Sequence, residues 1–377
     1  MKKIFIIGMV DSIHTAHWIE RIIDINCEIH IYASRTHKKI HPLLQKLIKE
    51  NENLKLINNF PSLRFAPYLD YLIRHLNFAA FNLNTWLIQR AIDKNSYSHI
   101  HCLEIQHAGY LLLDVKLDSL SNLKIICTNW GSDIYYFNQF DVHREKIKEL
   151  LNLTDSYAAE CERDYELARK MGFSGKELPL IPNSFKFNGN VINPQEFTHR
   201  SQIIVKCYGG VFGLGMILIS VMDQFLNEHK GASVLLYSVT DDLLNEAKNL
   251  ERKFPKRVRI SSIRNPMSSQ QIASEYQKSL IYVGASRSDG ISTSFLEAMN
   301  YGAFPIQTNT SCAQDWIDKG CVGRVVAPNR EVLLKTLNDV YSDKHVIFGA
   351  AETNLNVLQK YTNSVFLNEI SKSFYAS

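Results

Sequence analysis

Short apolar runs recur along the chain, with strand candidates at 2–8, 28–34, 54–58, 99–105, 124–130, 155–161 and 178–182 in the first half. They recur again at 203–208, 233–239, 258–263, 280–286, 303–308 and 323–327 in the second. Between them, apolar positions return at helical spacing over 14–25, 43–50, 66–93, 143–151, 215–227, 243–254, 268–279, 293–301, 312–319 and 329–342. A strand that is apolar throughout, not at every other residue, is covered on both faces. Such strands alternating with helices predict parallel sheets in an α/β chain. The polar stretch 183–200 separates two halves of similar pattern. The expected organisation is a Rossmann-like domain over 1–190, a second over 200–360, and a C-terminal helix within 361–377 packing back on the first. Two doubly wound domains facing each other across a cleft would take their ligands beyond the carboxyl ends of the strands.

Composition narrows the class. At 377 residues the length suits about two domains. A content of 45% hydrophobic and 21% charged residues is that of a globular protein, not of a disordered or fibrous one. The 42 Lys+Arg nearly balance the 38 Asp+Glu, and no basic run marks a nucleic-acid binder. Seven cysteines, odd in number and without a CxxC pair, read as small buried hydrophobes in a reducing compartment. No apolar stretch approaches the ~18 residues of a membrane span, and the N-terminus reads as a buried first strand, so the expected location is cytoplasmic. Residues 63–92 combine aromatics with Arg64, Arg74 and Arg90, the makings of a peripheral membrane contact, although two helices packed on the first sheet account for them more simply.

The richest loop is Ala285-Ser-Arg-Ser-Asp289-Gly290-Ile291-Ser292-Thr293-Ser294-Phe-Leu-Glu297. A buried strand runs into a glycine turn, three hydroxyl residues and a helix, and helix-start amides with the positive dipole end suit a phosphate. A structural alternative exists, since Ser294-Phe-Leu-Glu297 also spells a capping box. Lys206 ends a strand before the glycine-rich run Gly209-Gly210-Val-Phe-Gly213-Leu214-Gly215. In the first half, Asp11, Ser12, His14 and His17 follow the first strand, Gln106 and His107 follow another, and Asn129-Trp130-Gly131-Ser132-Asp133 follows the next. His14 and His17 share a helix face but have no further ligands beside them to make a metal site. There is no GxGxxG after the first strand, so nicotinamide chemistry is unsupported.

Asp289 and Glu297, with seven residues between them and Ala298-Met299-x-x-Gly302-x-Phe304-Pro305 following, resemble the signature of the retaining family-4 (group 1) glycosyltransferases of GT-B fold. The loop at 130–133, Ile181-Pro182-Asn183-Ser184 and Lys206 fall in the expected order for that family. The resemblance implies a nucleotide-sugar donor in the C-terminal domain. Glu297 would hold the ribose hydroxyls and Asp289 the sugar hydroxyls. The stretch Gly290, Ile291, Ser292, Thr293 and Ser294 would cradle the diphosphate together with Gly209 and Gly210. It makes Lys206, Asp289 and Asp133 the catalytic set. It puts Asp11, Ser12, His14, His17, Gln106 and His107 on the side of a glycan or lipid-linked acceptor, as in bacterial surface polysaccharide synthesis. The chain departs from the family in three places: the first acid is Asp289 instead of Glu, Leu214 stands where an Arg is usual, and Asn129 and Trp130 stand where a His is usual. Arg287 is a candidate for the missing cation. No Asp-x-Asp pattern occurs, and the resemblance implies catalysis with neither metal nor cofactor, the nucleotide-sugar being a substrate. A sugar-nucleotide epimerase of GT-B-like fold and a non-catalytic partner in a polysaccharide complex are the rival readings.

Overall fold

A computed structural model describes residues 2–35, 37, 39–57, 83–187 and 199–376; residues 66–82 of the predicted helical stretch 66–93, most of the 63–92 segment and residues 188–198 of the polar stretch 183–200 lie outside them. The chain divides into two compact units, Met1–Ser184 with Ser364–Ser377, and Phe185–Asn363.

The first unit holds seven parallel strands: β1 (Lys2–Gly8), β2 (Cys27–Ala33), β3 (Leu54–Leu56), β4 (Tyr97–Leu103), β5 (Lys124–Thr128), β6 (Ser156–Ala158) and β7 (Lys176–Glu177). Their order is β3-β2-β1-β4-β5-β6-β7. Phe5 and Ile7 enter one core and Ile4 and Ile6 the other, so β1 is buried on both faces as its apolar run predicts. The run 178–182 does not form the last strand. Pairing stops after β7 because Pro179 and Pro182 lack the amide a sheet ladder needs, although Leu178 N–H still donates to Tyr157 O at 2.9 Å.

The second unit holds β8 (Gln202–Lys206), β9 (Ser233–Val239), β10 (Val258–Ser262), β11 (Ser279–Gly284), β12 (Phe304–Thr308) and β13 (Arg324–Val326), all parallel, in the order β10-β9-β8-β11-β12-β13. Both sheets therefore reverse direction of growth once, between β1 and β4 and between β8 and β11. The carboxyl ends at such a switch point are where α/β sheets bind ligands.

The second unit ends in the helix Lys344–Thr362. After Asn363 the chain contributes the helix Ser364–Ser373 to the first unit, where it packs on the helix Ile13–Ile22 and buries Phe374 and Tyr375 in the core. Trp18 Nε1 donates to the Tyr375 hydroxyl at 2.9 Å, and His101 Nδ1 lies 2.7 Å from the same oxygen. All seven cysteines are buried thiols. Among the described residues, no helix is long and apolar enough to cross a membrane.

Candidate functional site

Lys206 ends β8 in register with Gly284 of β11 and Tyr237 of β9, at the point where the strand order reverses. From Gly284 the chain passes through residues 285–292 into the helix Thr293–Asn300. This loop is braced from the far side: Thr308 Oγ1 accepts the Ser286 N–H at 3.1 Å, and the Cys312 N–H donates to Gly290 O at 2.9 Å. Ile291, Ser292 and Ser294 are buried, and Asp289 and Thr293 are half-buried. Ser292 is the N-cap and makes no side-chain capping bond, while its carbonyl accepts from Phe295 N–H at 2.9 Å.

The capping-box alternative for Glu297 therefore fails. Ser294 is already inside the helix, and Glu297 stands in the second turn, beyond reach of a cap role defined from Ser292. Glu297 is half-buried, and burial pushes its carboxyl up to about 7, while the Lys206 charge and a hydrogen bond from Tyr276 pull it down. Tyr276 belongs to a buried hydroxyl chain: its oxygen lies 2.8 Å from that of Tyr237 and donates to Ser294 O at 3.4 Å. Sequence reasoning missed these tyrosines, because nothing in their local pattern separates them from ordinary core residues.

Gly209 and Gly210 turn the chain after β8, with Gly210 at φ +65°. Their amides are already engaged: Gly209 N–H donates to Thr240 Oγ1 at 2.9 Å and Gly210 N–H to Asp242 Oδ2 at 3.0 Å. These two glycines shape the loop, and their amides are committed to the loop after β9 instead of facing a diphosphate. Arg287 is exposed, and its N–H donates to Phe212 O at 2.7 Å, beside the Gly213–Ser286 bridge. That places its backbone next to the loop position held by Leu214.

In the first unit, Ser12 caps the helix Ile13–Ile22 by accepting the His14 N–H at 3.2 Å. The His14 ring lies 5.0 Å from that of Trp130. Asp11 Oδ2 pairs with Arg35 at 3.0 Å, and His107, exposed, feels the charges of both. Gln106 Nε2 donates to Asp133 O at 2.8 Å. These residues gather at the carboxyl ends of β1, β2, β4 and β5. His17 does not share that orientation, since its Nδ1 lies 2.6 Å from Ser184 O and ties the helix to the exit of the first unit.

Asp133 is turned inward. Its Oδ2 accepts the N–H of Trp130 at 3.0 Å and of Ile105 at 3.2 Å, so it binds the loop after β5 to the loop after β4. At 6% exposure its carboxyl builds these loops and does not present itself to a sugar. Burial pushes it up to about 6. Beside it, Glu104 was not singled out from the sequence, yet it is the most unusual residue here. It is buried, holds φ at 104°, and accepts the His107 N–H on both carboxylate oxygens at 2.7 and 2.8 Å. Burial, and then the Asp133 charge, push Glu104 up to about 8. A non-glycine residue at such a φ is strained and marks sites where the surroundings over-determine the backbone.

The family model "Glycosyl transferase 4-like" matches residues 3–159, and "Glycosyl transferases group 1" matches residues 246–355. No curated protein matches the sequence significantly. Among solved structures, Anabaena HepE in complex with UDP and glucose is similar over 100% of both chains, with TM-score 0.69 at 12% identity. Sucrose-phosphate synthase from Thermosynechococcus elongatus is similar over 100% of this chain and 98% of its own, with TM-score 0.73 at 12% identity. A glycosyltransferase from Rickettsia africae is similar over 99% and 97%, with TM-score 0.65 at 15% identity. At these identities the likeness is one of fold.

Proposed function

This chain belongs to the glycosyl transferases of the 4-like and group 1 type, and from that membership we propose that it moves a sugar from a nucleotide-sugar donor to a glycan or lipid-linked acceptor, with retention and without a metal. The second unit binds the donor. The observation that carries this is Glu297, a carboxyl in the second turn of the helix after β11, freed from any capping role and electrostatically tied to Lys206. An ionised Glu297 accepts the ribose hydroxyls through charge-assisted bonds. The opening amides of the Thr293–Asn300 helix and the Lys206 ammonium neutralise the diphosphate, and Lys206 counts most as negative charge grows on the leaving group. Asp289 meets hydroxyls of the donor sugar. Transfer with retention proceeds by attack on the face the diphosphate leaves, with the departing phosphate taking the acceptor proton, so no side-chain base is assigned.

The first unit binds the acceptor on the rim formed by Asp11, Ser12, His14, Gln106 and His107, and Asp133 and Glu104 hold that rim in shape. Assembly of a surface polysaccharide is the setting that fits such an acceptor. HepE is described in complexes with UDP and with UDP-glucose, which makes UDP-sugars the first donors to test. The test is a stability screen over UDP, GDP, ADP and their sugars. A nucleotide at 100 times its dissociation constant raises stability by about 2.7 kcal/mol. A flat response to all of them contradicts the donor assignment.

A further inference from the structure

We propose that Tyr208 is a positioning residue of the donor site, holding the Lys206 ammonium in place with the face of its ring. The inference rests on the role given to Lys206 above, and adds a residue that neither the motif nor the family match assigns.

Tyr208 lies two residues beyond the end of β8. Its carbonyl accepts the Gly215 N–H at 2.9 Å, at the start of the helix Gly215–Glu228. A Cβ at Gly213 would fall 2.0 Å from the Tyr208 carbonyl oxygen, and one at Gly215 2.8 Å from it. Residues 213–215 thus wrap the Tyr208 backbone more closely than side chains allow, and the glycines there fix where the ring starts. From that point the ring meets Lys206, whose Nζ lies 5.4 Å from its centroid, within cation–π range. At the other end of the side chain, burial and then the Asp289 charge raise the hydroxyl's pKa.

A lysine needs such a support. Its ammonium is a strongly hydrated point charge on a flexible stem, and four rotatable bonds must be frozen before it can stabilise charge at one place. A ring beneath the ammonium removes part of that freedom in advance. Preorganised charge of this kind raises turnover more than ground-state affinity.

Two variants divide the ring from the hydroxyl. Tyr208→Leu removes both and Tyr208→Phe keeps the ring. In protein carrying 13C-methylated lysines, with the Lys206 signal assigned through Lys206→Arg, the ring-current shift of Lys206 is expected to persist in Tyr208→Phe and vanish in Tyr208→Leu. Release of nucleotide from UDP-, GDP- and ADP-sugars is expected to fall about tenfold in Tyr208→Leu, the scale of a partly desolvated cation–π contact, with nucleotide affinity changed less than about threefold. In a Lys206→Ala background Tyr208→Leu should cost nothing further. Tyr208→Phe, which keeps the ring, should hold turnover within about twofold of wild type, a comparison that serves even where the leucine variant fails to fold. A Lys206 signal unmoved in Tyr208→Leu, an additive loss in the Lys206→Ala background, or a tenfold loss in Tyr208→Phe overturns the role of the Tyr208 ring. Unchanged turnover in Lys206→Ala overturns the underlying reading of Lys206 and the proposal with it.

Discussion

Glu297 carries opposite consequences for folding and for binding. Its carboxyl is pushed up from 4.5 to about 7 by burial, so the folded chain holds this proton more tightly than the unfolded chain does. The sign follows from linkage: its contribution favours folding most below about 4.5 and is lost as pH rises towards 7. Glu297→Gln should flatten that part of the stability profile, measured by denaturant unfolding across pH 4.5–8. Asp133 and Glu104, raised to about 6 and about 8, tilt the profile the same way and remain in the variant. In the proposed ribose contact binding runs in reverse, since only the ionised carboxylate makes a charge-assisted bond to ribose hydroxyls. The wild-type advantage in nucleotide affinity over Glu297→Gln should grow as pH rises through about 7. Equal slopes in the two proteins would remove Glu297 from the ribose contact. The acid pair of Asp289 and Glu297 was legible in the sequence because it sits in a strand–glycine–helix context. Glu104 was not, because its strain is a property of φ and its partners arrive from Thr128 at the end of β5 and from the turn after β4.

At the level of elements, the loop after β8 does its work through glycine. Gly213 has no room for a Cβ, which would meet the Tyr208 backbone oxygen at 2.0 Å and not a side chain that can move. Gly213→Ala should lower stability by about 1–3 kcal/mol, the usual cost of overpacking, and weaken nucleotide binding because Lys206 and Tyr208 shift with the loop. Thermal melting with and without nucleotide checks both. A variant that melts and binds like wild type would mean the loop tolerates rearrangement. Sequence pattern predicted the glycine run, but not that Thr240 and Asp242 would occupy the amides of Gly209 and Gly210. Hydrogen bonds between loops of neighbouring strands leave no local signal. The helix Glu162–Lys170 escaped for another reason: eight of its residues other than Leu167 are charged, aromatic or small, and only Asp164, Tyr165 and Ala168 are buried. Its apolar face is too thin to stand out against the polar background.

Across the molecule, two α/β units were readable because the central strands, such as β1, β8 and β11, are largely apolar runs and amphipathic helices alternate with them. The return of the C-terminal residues to the first unit rests on side chains far apart in sequence, with Tyr375 meeting Trp18 and His101. Tyr375→Phe strands two buried partners and should lower the stability of the first unit by about 1–3 kcal/mol. Nucleotide binding, which the proposal assigns to the second unit, should not change. A loss of nucleotide affinity in that variant would contradict the assignment of the donor to residues 206–297. The most direct measurement is calorimetric binding of UDP, GDP and ADP to wild type and Glu297→Gln at a pH above 7. The account predicts that the nucleotide bound by wild type binds Glu297→Gln more weakly by about 1–3 kcal/mol, the range for hydrogen bonds to charged groups, while the free variant melts no lower than wild type because no buried carboxylate has to ionise. Unchanged affinity in Glu297→Gln, or no binding of any of the three by wild type, would contradict it.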